Sequence, residues 1–84
     1  MRNKFLISLA NRKLEKLGYI KDHETTYHIS YKKYDPATGL VHRIDFMHNP
    51  DKDPFISLYG KSVVLNQKEI NAFLIMIKGL GKGK

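Results

Sequence analysis

Tyr27-His28-Ile29-Ser30-Tyr31-Lys32-Lys33-Tyr34-Asp35-Pro36-Ala37-Thr38-Gly39-Leu40-Val41-His42-Arg43-Ile44-Asp45-Phe46-Met47 is the stretch on which the fold turns. At its centre, Asp35 before Pro36 opens a type I turn. The proline presets its own φ, and Gly39 supplies the positive φ that returns the chain to a ladder. The flanks alternate. Tyr27, Ile29 and Tyr31 interleave with Thr26, His28, Ser30 and Lys32, so 25–34 reads as a strand rich in good strand formers. Over 40–47, Ile44 and Phe46 point one way and Val41, Arg43, Asp45 and Met47 the other. The pattern predicts an antiparallel hairpin.

Downstream, Asn49-Pro50-Asp51-Lys52-Asp53-Pro54 is dense in breakers and marks a second turn. Phe55 to Tyr59 then reads as a short third strand. Ile56 and Leu58 oppose Phe55, Ser57 and Tyr59, and the pattern leaves open which set faces the core. Gly60-Lys61-Ser62 ends that strand, and Val63-Val64-Leu65 either extends it or leads into a helix. Asn66 and Glu69, three apart, form a capping-box pair that opens a helix running to about Lys78. Within it Ile70, Phe73, Leu74 and Ile77 make a core stripe. Ala72 and Met76 widen the stripe, and Ile75 falls on the polar side among Lys68, Asn71 and Lys78. Gly79, Gly81 and Gly83 alternate with Leu80, Lys82 and Lys84, which predicts a flexible basic tail over 79–84.

Upstream, residues 3–17 read as an amphipathic helix. Leu6, Ile7, Leu9, Ala10, Leu14 and Leu17 recur at helical spacing. Asn3 is the candidate N-cap, and Gly18 stands where a helix ends in the left-handed conformation. The expected architecture is α+β, in the order α-β-β-β-α: a three-stranded antiparallel meander with both helices packed on one face. It forms a single domain over 1–78, followed by the tail.

With 84 residues the chain is one domain's worth, and its core is small. It has no cysteine, which excludes a disulfide framework and any thiolate metal site. No apolar run approaches the ~20 residues that span a bilayer, so no membrane association is expected. The apolar stretch within Met1–Ala10 is too short for an export signal and runs directly into Asn11, Arg12 and Lys13. The formal net charge is +7, and it is uneven: residues 1–21 carry +5, 22–60 carry −2 and 61–84 carry +4. Cations at both ends and a mildly acidic middle point to polyanions or acidic protein surfaces as partners, although such a charge also keeps a small protein soluble.

Three further patterns bear on chemistry. Tyr27, Tyr31, Tyr34 and Tyr59 stand among His28, Lys32, Lys33 and Arg43, the pairing of rings and cations that stacks bases and meets phosphate on an open sheet face. Tyrosine is also a good strand former with a polar tip, and Asp45 beside Arg43 can take up that cation. His23, His28, His42 and His48 suggest metal binding. A strand, however, sends Asp45 to the face opposite His42 and His48, so no metal and no cofactor are expected. No nucleophile stands at a recognisable spacing from a base, and Gly60-Lys61-Ser62 lacks the upstream glycine of a phosphate loop, so no enzyme activity is expected.

Gly39, His42 and Phe46 keep the spacing of a signature of the double-stranded-RNA-binding domain, and the expected element order resembles that family. Leu40 replaces the signature's proline. Gln67-Lys68-Glu69-Ile70-Asn71 replaces the family's lysine cluster, leaving Lys68 as its one base. Over the whole chain, a short basic helix precedes Tyr27-x-Ile29-x-Tyr31-x-x-Tyr34-Asp35-x-x-Thr38-Gly39-x-x-His42-x-Ile44-x-Phe46. A capped helix with Lys68-Glu69-Ile70-x-Ala72 and a closing Leu80 follows. This is similar to small accessory proteins of phages and mobile elements of Gram-positive bacteria. The resemblance implies a non-catalytic protein in the bacterial cytoplasm that binds host or phage machinery.

Two functions are expected to compete. In the first, Arg2, Lys4, Arg12, Lys13, Lys16, Lys61, Lys68, Lys78, Lys82 and Lys84 contact nucleic-acid phosphates. In the second, Ala72, Ile75 and Met76 form a surface for a homodimer or a protein partner, as in an adaptor or an anti-CRISPR-like inhibitor of host defence machinery.

Overall fold

A computed structural model of the chain describes residues 2–49, 51–59 and 65–81. Helix α1 spans Lys4–Lys16, strands β1 to β4 span Ile20–Thr25, His28–Asp35, Leu40–Met47 and Phe55–Tyr59, and helix α2 spans Gln67–Leu80. The strands form one antiparallel sheet in the order β1-β2-β3-β4. The class is α+β, with four strands where the sequence pattern predicts three.

The additional strand is β1. All of Ile20-Lys21-Asp22-His23-Glu24-Thr25 is exposed, so it has no apolar alternation to read. It is held by its backbone ladder to β2, with a register irregularity between Lys21 and His23. Thr25, expected in the following strand, ends β1, and Thr26-Tyr27 make the tight turn into β2. The Asp35–Gly39 turn forms as its residues dictate. Gly39 has φ 73° and donates to the Asp35 carbonyl at 2.8 Å, and the Asp35 side chain accepts from the Ala37 N–H.

The register sorts side chains onto two faces. Ile29, Phe46 and Ile56 stand in one row and Tyr31, Ile44 and Leu58 in the next, all toward the helices. This assigns Ile56 and Leu58 to the helical side of β4. The opposite face carries the rows Lys32–Arg43–Tyr59, Ser30–Asp45–Ser57 and His28–Met47–Phe55. The core lies between sheet and helices around Ala10, Leu14, Ile29, Tyr31, Ile44, Phe46, Phe73 and Met76. Phe46 packs edge-on to Tyr31 and Phe73, with ring centroids 5.8 and 5.7 Å apart, and Phe73 packs the same way on Tyr19. Such aromatic pairs add roughly 0.5–1.5 kcal/mol each to the burial itself.

The helices run antiparallel against one another. Asn3 caps α1 by accepting from Leu6 N, and its own N–H donates to the Gly79 carbonyl at the far end of α2. Gly79 is needed for this approach: a Cβ there would lie 2.9 Å from Ile7 Cγ1 and 3.0 Å from the Ile7 backbone nitrogen. At the start of α2 the Asn66–Glu69 capping box is complete. The helix continues through Gly79 and Leu80, both buried, so these two residues belong to the domain and not to a tail. Residues 82–84 lie outside the described residues.

The face of α2 differs from the expected stripe. The helix buries Glu69, Ala72, Phe73, Met76, Gly79 and Leu80, while Ile70 and Leu74 are exposed. An apolar run six residues long does not define a unique inner face. The rotation is set by the close contact of Gly79 with α1 and by a hydrogen bond from the Tyr19 hydroxyl to the buried Glu69 carboxylate.

Candidate nucleic-acid interface

Charge is divided between the layers of the molecule. The segments 2–19 and 65–81 carry Arg2, Lys4, Arg12, Lys13, Lys16, Lys68 and Lys78 against two acids, Glu15 and Glu69. Glu69 is buried and occupied by Tyr19 and the α2 cap. The sheet and its turns hold the other six of the chain's eight acids. Among the described residues the ion pairs are Lys21–Glu24, Lys32–Asp22, Arg43–Asp45 and, when the imidazole is protonated, His28–Asp45. None of these pairs involves Lys13, Lys16 or Lys68.

The antiparallel helix pair gathers part of the expected set. Lys13, Lys16 and Leu17 at the end of α1 meet Lys68 and Asn71 at the start of α2 around an open groove of about 330 Å³. The three lysines are exposed, and Arg12 is exposed one turn before Lys16. Local physics places the lysines unequally. Lys13 and Lys16 complement the negative end of the α1 dipole. Lys68 sits in the first turn of α2, where the dipole is already positive, so helix stability does not explain it. Its ammonium and the helix end raise the potential of the groove together, and an anion relieves both.

The other expected bases lie elsewhere. Arg2 and Lys4 border a second cavity, of about 350 Å³, with Ser8, Asn11, Lys21 and Glu24 at the opposite end of α1. There Arg2 Nε is buried without a hydrogen-bond partner. The Glu24 carboxyl is held below its ordinary range by its hydrogen bond to Lys21, against the effect of burial. Lys78 is exposed on the far side of α2, in a groove lined also by Asp53, Pro54, Leu74 and Ile77. Lys61, Lys82 and Lys84 lie outside the described residues.

The open sheet face is less suited to phosphate. Tyr31 is buried on the helical side, donates to Asn11 Oδ1 at 2.7 Å, and has its phenol pKa pushed up by burial and then by the charges of Glu24 and Glu15. The Lys33 ammonium, also on the helical side, lies 5.2 Å from the centre of the Tyr19 ring. Tyr34 and Tyr59 remain exposed on the open face, and Tyr27 is exposed in the β1–β2 turn, but Lys32 and Arg43 both point at carboxylates. Asp45 is nearly buried there. Burial opposes its ionisation, yet its hydrogen bonds with His28 and Arg43, the nearby Ser30 hydroxyl dipole and the Arg43 charge prevail and hold its carboxyl below the ordinary range. The Ser30 hydroxyl itself makes no hydrogen bond of good geometry. Among the described residues, no three His, Cys, Asp or Glu side chains are grouped to hold a metal.

The expected partner surface is corrected. Ala72 and Met76 are 0% exposed, and Ile75 is partly buried against the core, because the rotated α2 turns this flank toward α1 and the sheet. The exposed apolar residues of α2 are instead Ile70 and Leu74, a set that helical spacing had assigned to the core. No helix among the described residues is long and apolar enough to cross a membrane. Compared with protein-family models, curated proteins and solved structures, the chain matches none.

Proposed function

We propose that this chain is a small non-catalytic binding protein that associates with nucleic acid through the paired helices α1 and α2. One observation carries the reading: Lys13, Lys16 and Lys68, brought together from two helices, border one groove with no carboxylate partner among the described residues. A polyanion is the ligand class that such a groove favours. Each phosphate it neutralises releases condensed counterions, so binding strengthens steeply as salt is lowered. No base-reading motif accompanies the lysines, and the expected binding is therefore indifferent to sequence. A role of this kind suits a small accessory protein of a mobile element.

The test is a titration of the full chain with labelled duplex and with single strand at several salt concentrations. On duplex, log K falls linearly with log salt, at a slope of about −0.9 per phosphate contacted. Changing Lys13, Lys16 and Lys68 together to Gln reduces the slope by about 2–3. Binding absent at low salt, or a slope untouched by the triple change, rules the reading out.

A further inference from the structure

The two edges of the sheet are built differently. β1 carries charges on Lys21, Asp22 and Glu24 and a break in register between Lys21 and His23. Charged side chains and bulges are devices by which proteins keep an edge from pairing. β4, Phe55-Ile56-Ser57-Leu58-Tyr59, has no charge and no proline, and its register with β3 is unbroken from Met47↔Phe55 to Arg43↔Tyr59. Beyond it, α2 leaves Ile70 and Leu74 exposed, Leu74 at 60%, and Leu58 is exposed on the same side of the sheet. Leu74 and Ile77 border a groove of about 540 Å³ with Pro54, at the same edge.

We propose that a second copy of this chain pairs along β4, antiparallel and centred on Ser57, making one sheet of two four-stranded halves. Among the described residues β4 pairs with β3 alone, and the outer side of such an edge strand presents a row of unpaired backbone N–H and C=O groups that another strand satisfies. β4 is its own complement in the reversed register. Phe55 stands opposite Tyr59 of the other copy on the open face, and Ile56 stands opposite Leu58 on the helical face. Aromatic and aliphatic partners are thereby matched. Charge favours this edge too. Two chains of +7 repel in general, but β4 itself brings no cation to its partner, and the one base lining the groove at this edge, Lys78, shares it with the Asp53 carboxylate, whereas the α1 side would set one lysine row against another. The pairing also closes. After it, both free edges are the charged β1, so assembly stops at two.

The two-fold axis lies along the sheet normal, so the helices of both copies stay on one side. The Ile70 and Leu74 flanks then approach across the axis. The two lysine grooves come to lie on a common face, and a nucleic acid that spans both is held with the advantage of a linked second site. This last consequence rests on the proposed function; the dimer does not.

The chain lacks cysteine, which makes the test clean. On the axis Ser57 faces Ser57, and directly opposed Cα atoms in an antiparallel pair are about 4.5–5.5 Å apart, within disulfide range. Ser57→Cys is expected to form a covalent dimer on mild oxidation, while Thr25→Cys in β1 stays monomeric under the same conditions. Light scattering of the unaltered chain gives twice the monomer mass. Ser57→Lys or Leu74→Gln, both at accessible positions, halves that mass with the far-UV circular dichroism unchanged. The proposal is overturned if the unaltered chain has monomer mass at its highest soluble concentration, or if Thr25→Cys cross-links as fast as Ser57→Cys.

Discussion

The helical layer and the open face of the sheet carry similar kinds of side chain and use them in opposite ways. On the open face Lys32 and Arg43 each meet a carboxylate, and Asp45 is nearly buried between Arg43 and His28. On the helices Lys13, Lys16 and Lys68 stand together, and none of the three forms an ion pair among the described residues. Cations that are paired at home have little free energy left for a partner, while unpaired cations on one surface repel one another until an anion arrives. The difference teaches that a count of basic residues is a weak guide to a polyanion site. What matters is whether the fold has already supplied each base with an acid.

The largest expected effect tests which face is the core. Phe46 and Tyr59 lie on adjacent strands and on opposite faces, the first 0% exposed and the second 54%. Phe46→Ala removes a ring packed against Tyr31 and Phe73, and costs about 3–5 kcal/mol. Tyr59→Ala costs less than about 1 kcal/mol. Urea unfolding of the two variants checks this, and a comparable loss from both would mean that the open face is packed as well.

Next in size is the effect on nucleic-acid affinity. At about 0.1 M salt each phosphate contact is worth roughly a factor of ten, so changing Lys13, Lys16 and Lys68 to Gln weakens duplex binding by about 10² to 10³. Lys32→Gln, whose charge is already matched by Asp22, leaves the affinity within about threefold. Tyr34→Ala combined with Tyr59→Ala sharpens the contrast on single strands. If bases stacked on the open face, that pair would cost about 1–3 kcal/mol per base, and the two faces would exchange roles.

Much of this organisation is legible in the sequence, and the failures have physical causes. The Asp35–Gly39 turn, the ranges of β3 and β4, both N-caps and the positive φ of Gly18 follow from residues that admit few alternatives. β1 was hidden because an edge strand exposed on both faces has nothing to alternate, and its stability resides in the backbone ladder. The inner face of α2 was misassigned because an unbroken apolar run fits several rotations, and a contact between Gly79 and a helix far away in sequence decides among them. The basic groove was half legible. The lysines can be counted from the sequence, but the meeting of Lys13 with Lys68 depends on the antiparallel docking of elements some fifty residues apart.

Asp45 supplies the next test. Its carboxyl lies below the ordinary range in the folded chain, so proton uptake there opposes folding. The stabilisation it gives is fully present above the unfolded carboxylate value of about 3.9 and is lost as pH falls through the lowered folded value. Asp45→Asn is expected to cost about 1.5–3 kcal/mol at neutral pH, the range for hydrogen bonds to a charged group. The difference between variant and parent then shrinks below about pH 4. Urea midpoints at neutral and acid pH measure it. A difference that stays constant with pH would show that shape, and not the charge of Asp45, is what the open face requires.

The smallest effect concerns the spacing of the helices. Gly79→Ala changes two terms of opposite sign. Alanine favours an α-helix over glycine by about 1 kcal/mol, which by itself would stabilise α2. Against this, the new methyl would lie 2.9 Å from Ile7 Cγ1, 3.0 Å from Ile7 N and 3.1 Å from Leu6 Cβ. The Ile7 side chain can turn aside, but the backbone nitrogen moves only with α1 as a whole, and overpacking of this kind costs about 1–3 kcal/mol. The net expectation is a loss of about 1 kcal/mol, which lowers the melting temperature by roughly 4–8 °C for a domain of this size. Because the strain lies at the Asn3 end of α1 and the groove of Lys13, Lys16 and Lys68 at the other end of the helix pair, stability is expected to fall while duplex affinity stays within about threefold. A variant that melts higher than its parent would mean that α1 yields without cost, and a large loss of duplex affinity would mean that the whole helix pair, and not its Asn3 end alone, shifts to admit the methyl.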